Sequence, residues 1–263
     1  RRRRLGQRVG TADQRVDDPI VDLVTQTAPD ERPDRLVVTR PAEPVGHRVD
    51  RASVRLHGLP IDEAPAIFGR LAPLPGLDLR GIAVHIGSQL QSLAPLERAF
   101  ERLGKLVADL RAAGHTITHV DLGGGLGVPY RKDDNPPSPA AFGEMVARVT
   151  RDWDVELMFE PGRVISANAG VLLTEVLWVK RGAVNPWVIV DSAMNDLARV
   201  ALYDAYHEFE AVRPSGEKMI ANVAGPVCES SDVFAKGREI DAVKSGDLAI
   251  LRSAGAYGAT MAS

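Results

Sequence analysis

Three strand-like runs in the middle of the chain each end in residues suited to ligand chemistry. His85-Ile86-Gly87-Ser88-Gln89 closes the run 79–86, Gly123-Gly124-Gly125-Leu126-Gly127 follows 117–122, and Glu160-Pro161-Gly162-Arg163 follows 155–159. Consecutive glycines let backbone N–H groups approach an anion closely, as a phosphate cradle does, and equally make a plain tight turn. The dinucleotide pattern G-x-G-x-x-G is not met, because Val128 stands at its last glycine. Glu160 and Arg163 put a carboxylate and a guanidinium beside a glycine, where the ordinary alternative is a surface ion pair. His85 taken alone reads first as a satisfied core histidine rather than a catalytic one. Taken together, an anion cradle, a carboxylate and an imidazole at adjacent strand ends suit a phosphorylated nitrogen heterocycle.

A second set lies towards the end of the chain. Cys228 is the single cysteine, and it sits in the polar turn Gly225-Pro226-Val227-Cys228-Glu229-Ser230-Ser231-Asp232. A lone cysteine is usually an inert apolar residue, but this neighbourhood suits a proton donor better than a core. Arg199 and Tyr203 are four apart, hence on one face if 196–209 is helical. That pair is either a solvated stack or a site where a planar guanidinium grips a carboxylate. Tyr257 stands between Gly255 and Gly258, a context that a buried strand avoids.

The elements that must carry these residues follow from periodicity. The runs 79–86, 117–122 and 155–159 alternate with two helical stretches. In 94–113, Leu96, Phe100, Leu103, Val107 and Leu110 recur every three or four residues, with Gly114 as the stop. In 138–152, Ser138 stands as the N-cap before Pro139. Strands alternating with helices predict parallel pairing with the ligand site at the carboxyl ends of the strands. Beyond Gly170 the pattern predicts strands at 171–179, 187–190, 219–223 and 247–251, interrupted by the helical patch 196–209. A domain boundary is therefore expected near 170.

The whole chain has 263 residues, 44% hydrophobic, with a net charge of −3. That charge gives no case for nucleic acid or an anionic membrane as partner, and no apolar run is long enough to span a bilayer. One cysteine excludes a disulfide framework and a multi-cysteine zinc site, so no metal is called for and the composition is that of a cytoplasmic enzyme. The distribution of charge is uneven. Residues 1–57 hold 12 arginines, no lysine and nine acids, a balance of +3, while the remainder holds 20 basic and 26 acidic residues, a balance of −6. Only 19–24 and 36–39 in that first segment look like strands, and its composition is that of poorly ordered or foreign sequence.

These blocks resemble the fold-type III pyridoxal-phosphate decarboxylases, and most nearly their diaminopimelate branch. The matching blocks are HIGSQ (85–89), DLGGGLG (121–127), EPGR (160–163), NDL with Arg199 and LYDAYH (195–207), GPVCESSD (225–232) and GAYGATMAS (255–263), in the family's order. Ala198 and Val200 flank Arg199 where the family usually has Ile and Pro. Glu229 after the cysteine favours the diaminopimelate branch over ornithine decarboxylases. The resemblance implies that His85 lies against the pyridoxal ring and that Ser88, Gly124, Gly125 and Gly162 hold the phosphate. It implies that Glu160 pairs with the pyridine nitrogen, keeping the ring an electron sink. Cys228, reaching across a homodimer interface, would return a proton to the carbon that loses carbon dioxide. Arg163, Arg199, Tyr203, Glu229 and Tyr257 would grip the distal end of a small amino-acid substrate, with Arg163 and Tyr257 also beside the cofactor. The reaction implied is meso-diaminopimelate to L-lysine and carbon dioxide. Rival readings are a non-catalytic relative that acts by binding, and a decarboxylase of another basic amino acid such as ornithine or arginine.

One residue of that chemistry is missing. The family holds pyridoxal phosphate covalently on a lysine in the first strand of its (β/α)8 barrel, whereas the first lysine here is Lys105, on a helix. A barrel takes about 250 residues, so 58–170 is expected to form only the second half of one, followed by an incomplete β-rich domain at 171–263. The expectation is a sequence incomplete at both ends, inactive as written, whose residues 1–57 are an out-of-frame translation rather than family sequence.

Overall fold

In a computed structural model of the chain, the residues described are 20–26 (backbone only), 59–75 and 77–263. In order they form β1 (Ile20–Gln26), β2 (Leu59–Pro60), α1 (Ala64–Leu71), β3 (Asp78–Val84), α2 (Ala94–Ala112), β4 (His119–Asp121), α3 (Pro139–Val149) and β5 (Glu156–Met158). Then come α4 (Arg163–Ser166), β6 (Leu172–Lys180), β7 (Trp187–Val190), α5 (Arg199–Tyr203), β8 (Phe209–Ala211), β9 (Lys218–Ala224), β10 (Val233–Asp241) and β11 (Leu248–Leu251). The fold is mixed α/β with two sheets, and the chain divides into two compact units. Among the described residues no helix is long and apolar enough to cross a membrane.

The first unit takes residues up to Ile86, 94–122 and 149–158. Its α2 buries the predicted stripe, Leu96, Phe100, Leu103, Val107 and Leu110 all being buried. Gly114, at φ +89°, ends the helix, and the His115 N–H turns back to the Leu110 carbonyl. The sheet order is β2-β1-β3-β4-β5. β3, β4 and β5 pair in parallel as predicted, with Ile82 opposite Val120 and Val120 opposite Leu157. β1 runs antiparallel to β3, so the sheet is mixed rather than wholly parallel. The predicted strand 19–24 overlaps β1, while 36–39 lies outside the described residues. Arg111 clasps the unit from the end of α2: its guanidinium donates to the carbonyls of Ile117, Trp153 and Asp154 at 2.6, 2.5 and 2.8 Å.

The second unit takes 87–93, 123–148 and 159–263. At the start of α3, the Ser138 hydroxyl accepts the Ala141 N–H at 3.1 Å, the N-cap that the sequence predicts. The second sheet has the order β10-β9-β7-β6-β11-β8, antiparallel except for β7 beside β9. Its core gathers Val176, Val188, Val190, Phe209, Val223 and Leu251. The predicted helix 196–209 is corrected here to the five residues of α5. Asp204, at φ +51°, is left-handed and turns its N–H back to α5, and the chain beyond it is extended into β8. β8 and β10 fall where the sequence predicts no strand. In β10 the run Lys236-Gly237-Arg238-Glu239 breaks the alternation; the structure absorbs it with irregular register against β9 and Gly237 at φ +55°.

Candidate functional site

Three loops of the second unit are tied together through their backbones. The Leu90 N–H donates to the Gly125 carbonyl at 2.9 Å, the Gly127 N–H to Leu90 at 3.1 Å, and the Glu160 N–H to Gly123 at 2.8 Å. The Gln89 amide locks the first two loops: its Nε2 donates to the Val128 carbonyl at 2.6 Å and its Oε1 accepts the Val128 N–H at 3.1 Å. This packing demands the glycines. A Cβ on Gly124 would strike the Glu160 carbonyl oxygen, and one on Gly125, at φ +101°, would strike that of Gly87. Beside them lies a cavity of about 310 Å³, lined by the glycines 123–125 with Phe142, Phe159, Gly162 and Arg163. A small buried group of Val128, Ala167 and Ala256, with Tyr130 and Val164 packed on it, lies among these loops.

Arg163 gathers the polar side chains. Its Nε donates to the Ser88 hydroxyl at 3.1 Å and its Nη1 to the Tyr130 hydroxyl at 2.5 Å, and its guanidinium carbon lies 4.8 Å from the Tyr257 ring centroid. Arg199, buried to 7% exposure, lies 4.9 Å over the Tyr130 ring and donates to His207 Nε2 at 2.9 Å. Burial, and then the like charge of Arg163, pull the Arg199 guanidinium below its usual range. Among the described residues no carboxylate forms an ion pair with Arg163 or Arg199. Two guanidiniums sharing one tyrosine without an acidic partner make an electropositive site for an anion.

The predicted site residues therefore divide. Ser88, Gly124, Gly125, Gly162, Arg163, Arg199 and Tyr257 fall within this loop cluster, where Glu160 also stands, its side chain exposed. Tyr203 does not join it. Arg199 and Tyr203 do both lie in α5, but that helix is little more than one turn: Arg199 turns inward to His207 and Tyr130, and Tyr203 is 67% exposed. His85 is exposed and belongs to the first unit. Cys228 is exposed on a loop built round Asp232, whose buried carboxylate accepts the N–H groups of Met194 at 2.6 Å and Val227 at 2.8 Å. Glu229 is exposed on that loop and bonded to Ser230 at 3.0 Å; this hydroxyl holds its carboxyl below the usual range. None of the six lysines lines the cavity.

Two residues of the cluster escape the sequence reading. Tyr130 lies between the two guanidiniums, and its only sequence signal is an aromatic residue soon after the glycine run. His207 is fully buried, and only its place at the end of the LYDAYH block marks it.

The donor set fits the phosphate and ring ends of pyridoxal phosphate: a run of glycines lining the cavity, a hydroxyl and a guanidinium at its edge, and a carboxylate on the adjoining Glu160 loop. An anion site of this composition, within a sheet-rich unit, defines the class of pyridoxal-dependent decarboxylases. The family described as "Pyridoxal-dependent decarboxylase, C-terminal sheet domain" matches residues 16–255, and the chain belongs to that family. Within it, the chain is 53% identical over 207 residues to the diaminopimelate decarboxylase of Zymomonas mobilis, covering 78% of this chain and 49% of that protein. It is 47% identical over 208 residues to that of Vibrio cholerae, with the same coverage of both. Among solved structures, diaminopimelate decarboxylase from Helicobacter pylori complexed with L-lysine superposes with a TM-score of 0.74 at 35% identity, over 78% of this chain and 51% of the other. The chain spans about half the length of the curated relatives it matches.

Proposed function

We propose that this chain carries the phosphate-binding and substrate-recognition part of a meso-diaminopimelate decarboxylase, which yields L-lysine and carbon dioxide. The observation that carries this reading is the pair Arg163 and Arg199 around Tyr130 with no acidic partner among the described residues. The distal centre of diaminopimelate bears a carboxylate for these cations and an ammonium for Glu229. Ornithine and arginine have no distal carboxylate, so they leave the guanidiniums unanswered.

In this reading the 123–125 glycines, Ser88 and Gly162 bind the phosphate, and Arg163 holds Ser88 in place. His85 lies against the pyridine ring, and Glu160 keeps the ring nitrogen protonated. The bound cofactor supplies an electron sink for the carbon that loses carbon dioxide. Tyr257 flanks the substrate's distal end. Cys228 Sγ, from a second copy of the chain, delivers a proton to that carbon and Glu229 binds the ammonium; their exposure on a braced loop suits this placement. The parallel run β3-β4-β5 is part of a (β/α)8 barrel, with 171–263 the β-rich domain. The single thiol of Cys228 suits a reducing cytoplasm.

Pyridoxal phosphate titrated into the chain, followed by its absorbance before and after borohydride, tests the reading. The expected result is saturable binding with no reducible covalent adduct, and no carbon dioxide from diaminopimelate, because no lysine lines the cavity. Absence of saturable binding overturns the cofactor assignment, and a borohydride-fixed adduct overturns the assignment of the missing lysine.

A further inference from the structure

His207 is fully buried and both its ring nitrogens have a specified partner. Nδ1 lies 2.8 Å from the Arg252 carbonyl oxygen and Nε2 lies 2.9 Å from Arg199 Nη1. A carbonyl only accepts and a guanidinium only donates, so the proton sits on Nδ1 and Nε2 presents its lone pair. The imidazole and the Tyr130 ring form a T-shaped pair, centroids 5.7 Å apart at 84°, and the same tyrosine ring lies under Arg199. The backbone around it is braced as well. Arg238 Nη1 donates to the His207 carbonyl at 2.6 Å, and the Arg252 side chain is paired with Glu210 at 2.6 Å.

We propose that His207 is a positioning residue: its Nδ1–H tautomer, fixed by the Arg252 carbonyl, offers Nε2 to Arg199 and aims that guanidinium at the distal carboxylate of the bound amino acid. The proposal rests on the substrate reading above for the identity of that carboxylate, while the His207–Arg199 unit stands on geometry. A buried cation needs acceptors. Arg199 receives one from a neutral ring that carries no charge to compete with the ligand's carboxylate; an aspartate in that place would neutralise the guanidinium. The charged groups nearest the ring, Arg199, Arg238 and Arg163, are cations, with Tyr130 beside them, and burial with these charges pushes the imidazole down to about 4. Protonation would set an N–H against the N–H groups of Arg199.

Long-range proton–nitrogen NMR on the ¹⁵N-labelled full chain reads the tautomer directly. The expected spectrum shows His207 neutral with its proton on Nδ1 from about pH 8 to about pH 5; an Nε2–H tautomer, or titration in that window, overturns the proposal whatever any variant does. Calorimetric titration with meso-diaminopimelate supplies the functional arm. His207→Asn keeps a donor for the Arg252 carbonyl and lacks the acceptor for Arg199, so it is expected to weaken binding about tenfold. His207→Gln, which can place an acceptor at Arg199, is expected to recover part of that loss. Equal measurable affinity of parent and His207→Asn overturns the positioning role. A parent with the Nδ1–H tautomer and no diaminopimelate binding counts against the substrate reading alone.

Discussion

Arg163 engages two acceptors at once, Ser88 through Nε and Tyr130 through Nη1, and sets its guanidinium carbon over the Tyr257 ring. That geometry needs a fork of donors in one rigid plane, which a lysine ammonium lacks. Arg163→Lys is therefore expected to weaken pyridoxal phosphate binding by about tenfold or more while the urea midpoint of unfolding barely moves. Unchanged affinity by fluorescence titration would sink Arg163 as part of the anion site. Individual residues were unevenly legible. Ser88, Arg163 and Tyr257 could be named because their types and local contexts are unusual in sequence. Tyr130 and His207 could not, because an aromatic residue and a histidine acquire a role only from the guanidiniums that folding brings against them.

At the scale of elements, α2 is a case where packing opposes propensity. Gly104 lies mid-helix, where alanine would ordinarily gain about 1 kcal/mol. A Cβ there would sit 2.6 Å from the Trp153 indole nitrogen, in a stretch whose backbone is pinned by Arg111. Gly104→Ala is thus expected to destabilise the chain by a net of about 1–2 kcal/mol, read from urea unfolding; a stabilised variant would show that Trp153 moves aside freely. The same contrast explains which elements could be read. α2 and α3 were visible because a 3.6-residue period and an N-cap are local signals. The end of α5 was not, since the apolar residues of 196–209 continue a helical pattern past Asp204 while Phe209 belongs to the sheet core. Nor was β10, where a charged run hides a bulged strand from a test for alternation.

For the molecule as a whole, His207 links the site to stability. Its folded pKa of about 4 lies below the ordinary 6.5, because burial and then the nearby guanidiniums oppose the charged ring. The unfolded chain therefore takes up the proton first as the solution is acidified. Stability is full above about pH 6.5 and falls towards pH 4, by about 3 kcal/mol in all if this group acts alone. Asp241 adds a second loss at lower pH: Lys218, 2.6 Å away, holds its carboxyl below the usual range, and that contribution disappears as the carboxylate is protonated. Urea unfolding across this range should give a steeper slope for the parent than for His207→Asn; matching slopes would contradict the buried neutral ring. What the sequence determined by itself was local: the order of strands and helices in 78–158, the glycine-bearing strand ends, the family, and the position of every lysine. What only the tertiary structure decided was partnership. It showed that Arg163 and Arg199 share Tyr130, that Tyr203 turns away, and that a buried histidine faces a buried arginine. Periodicity and motif spacing report what one segment requires of its own backbone, whereas a buried cation's partners come from segments far apart in the chain and are fixed only when water is excluded around them.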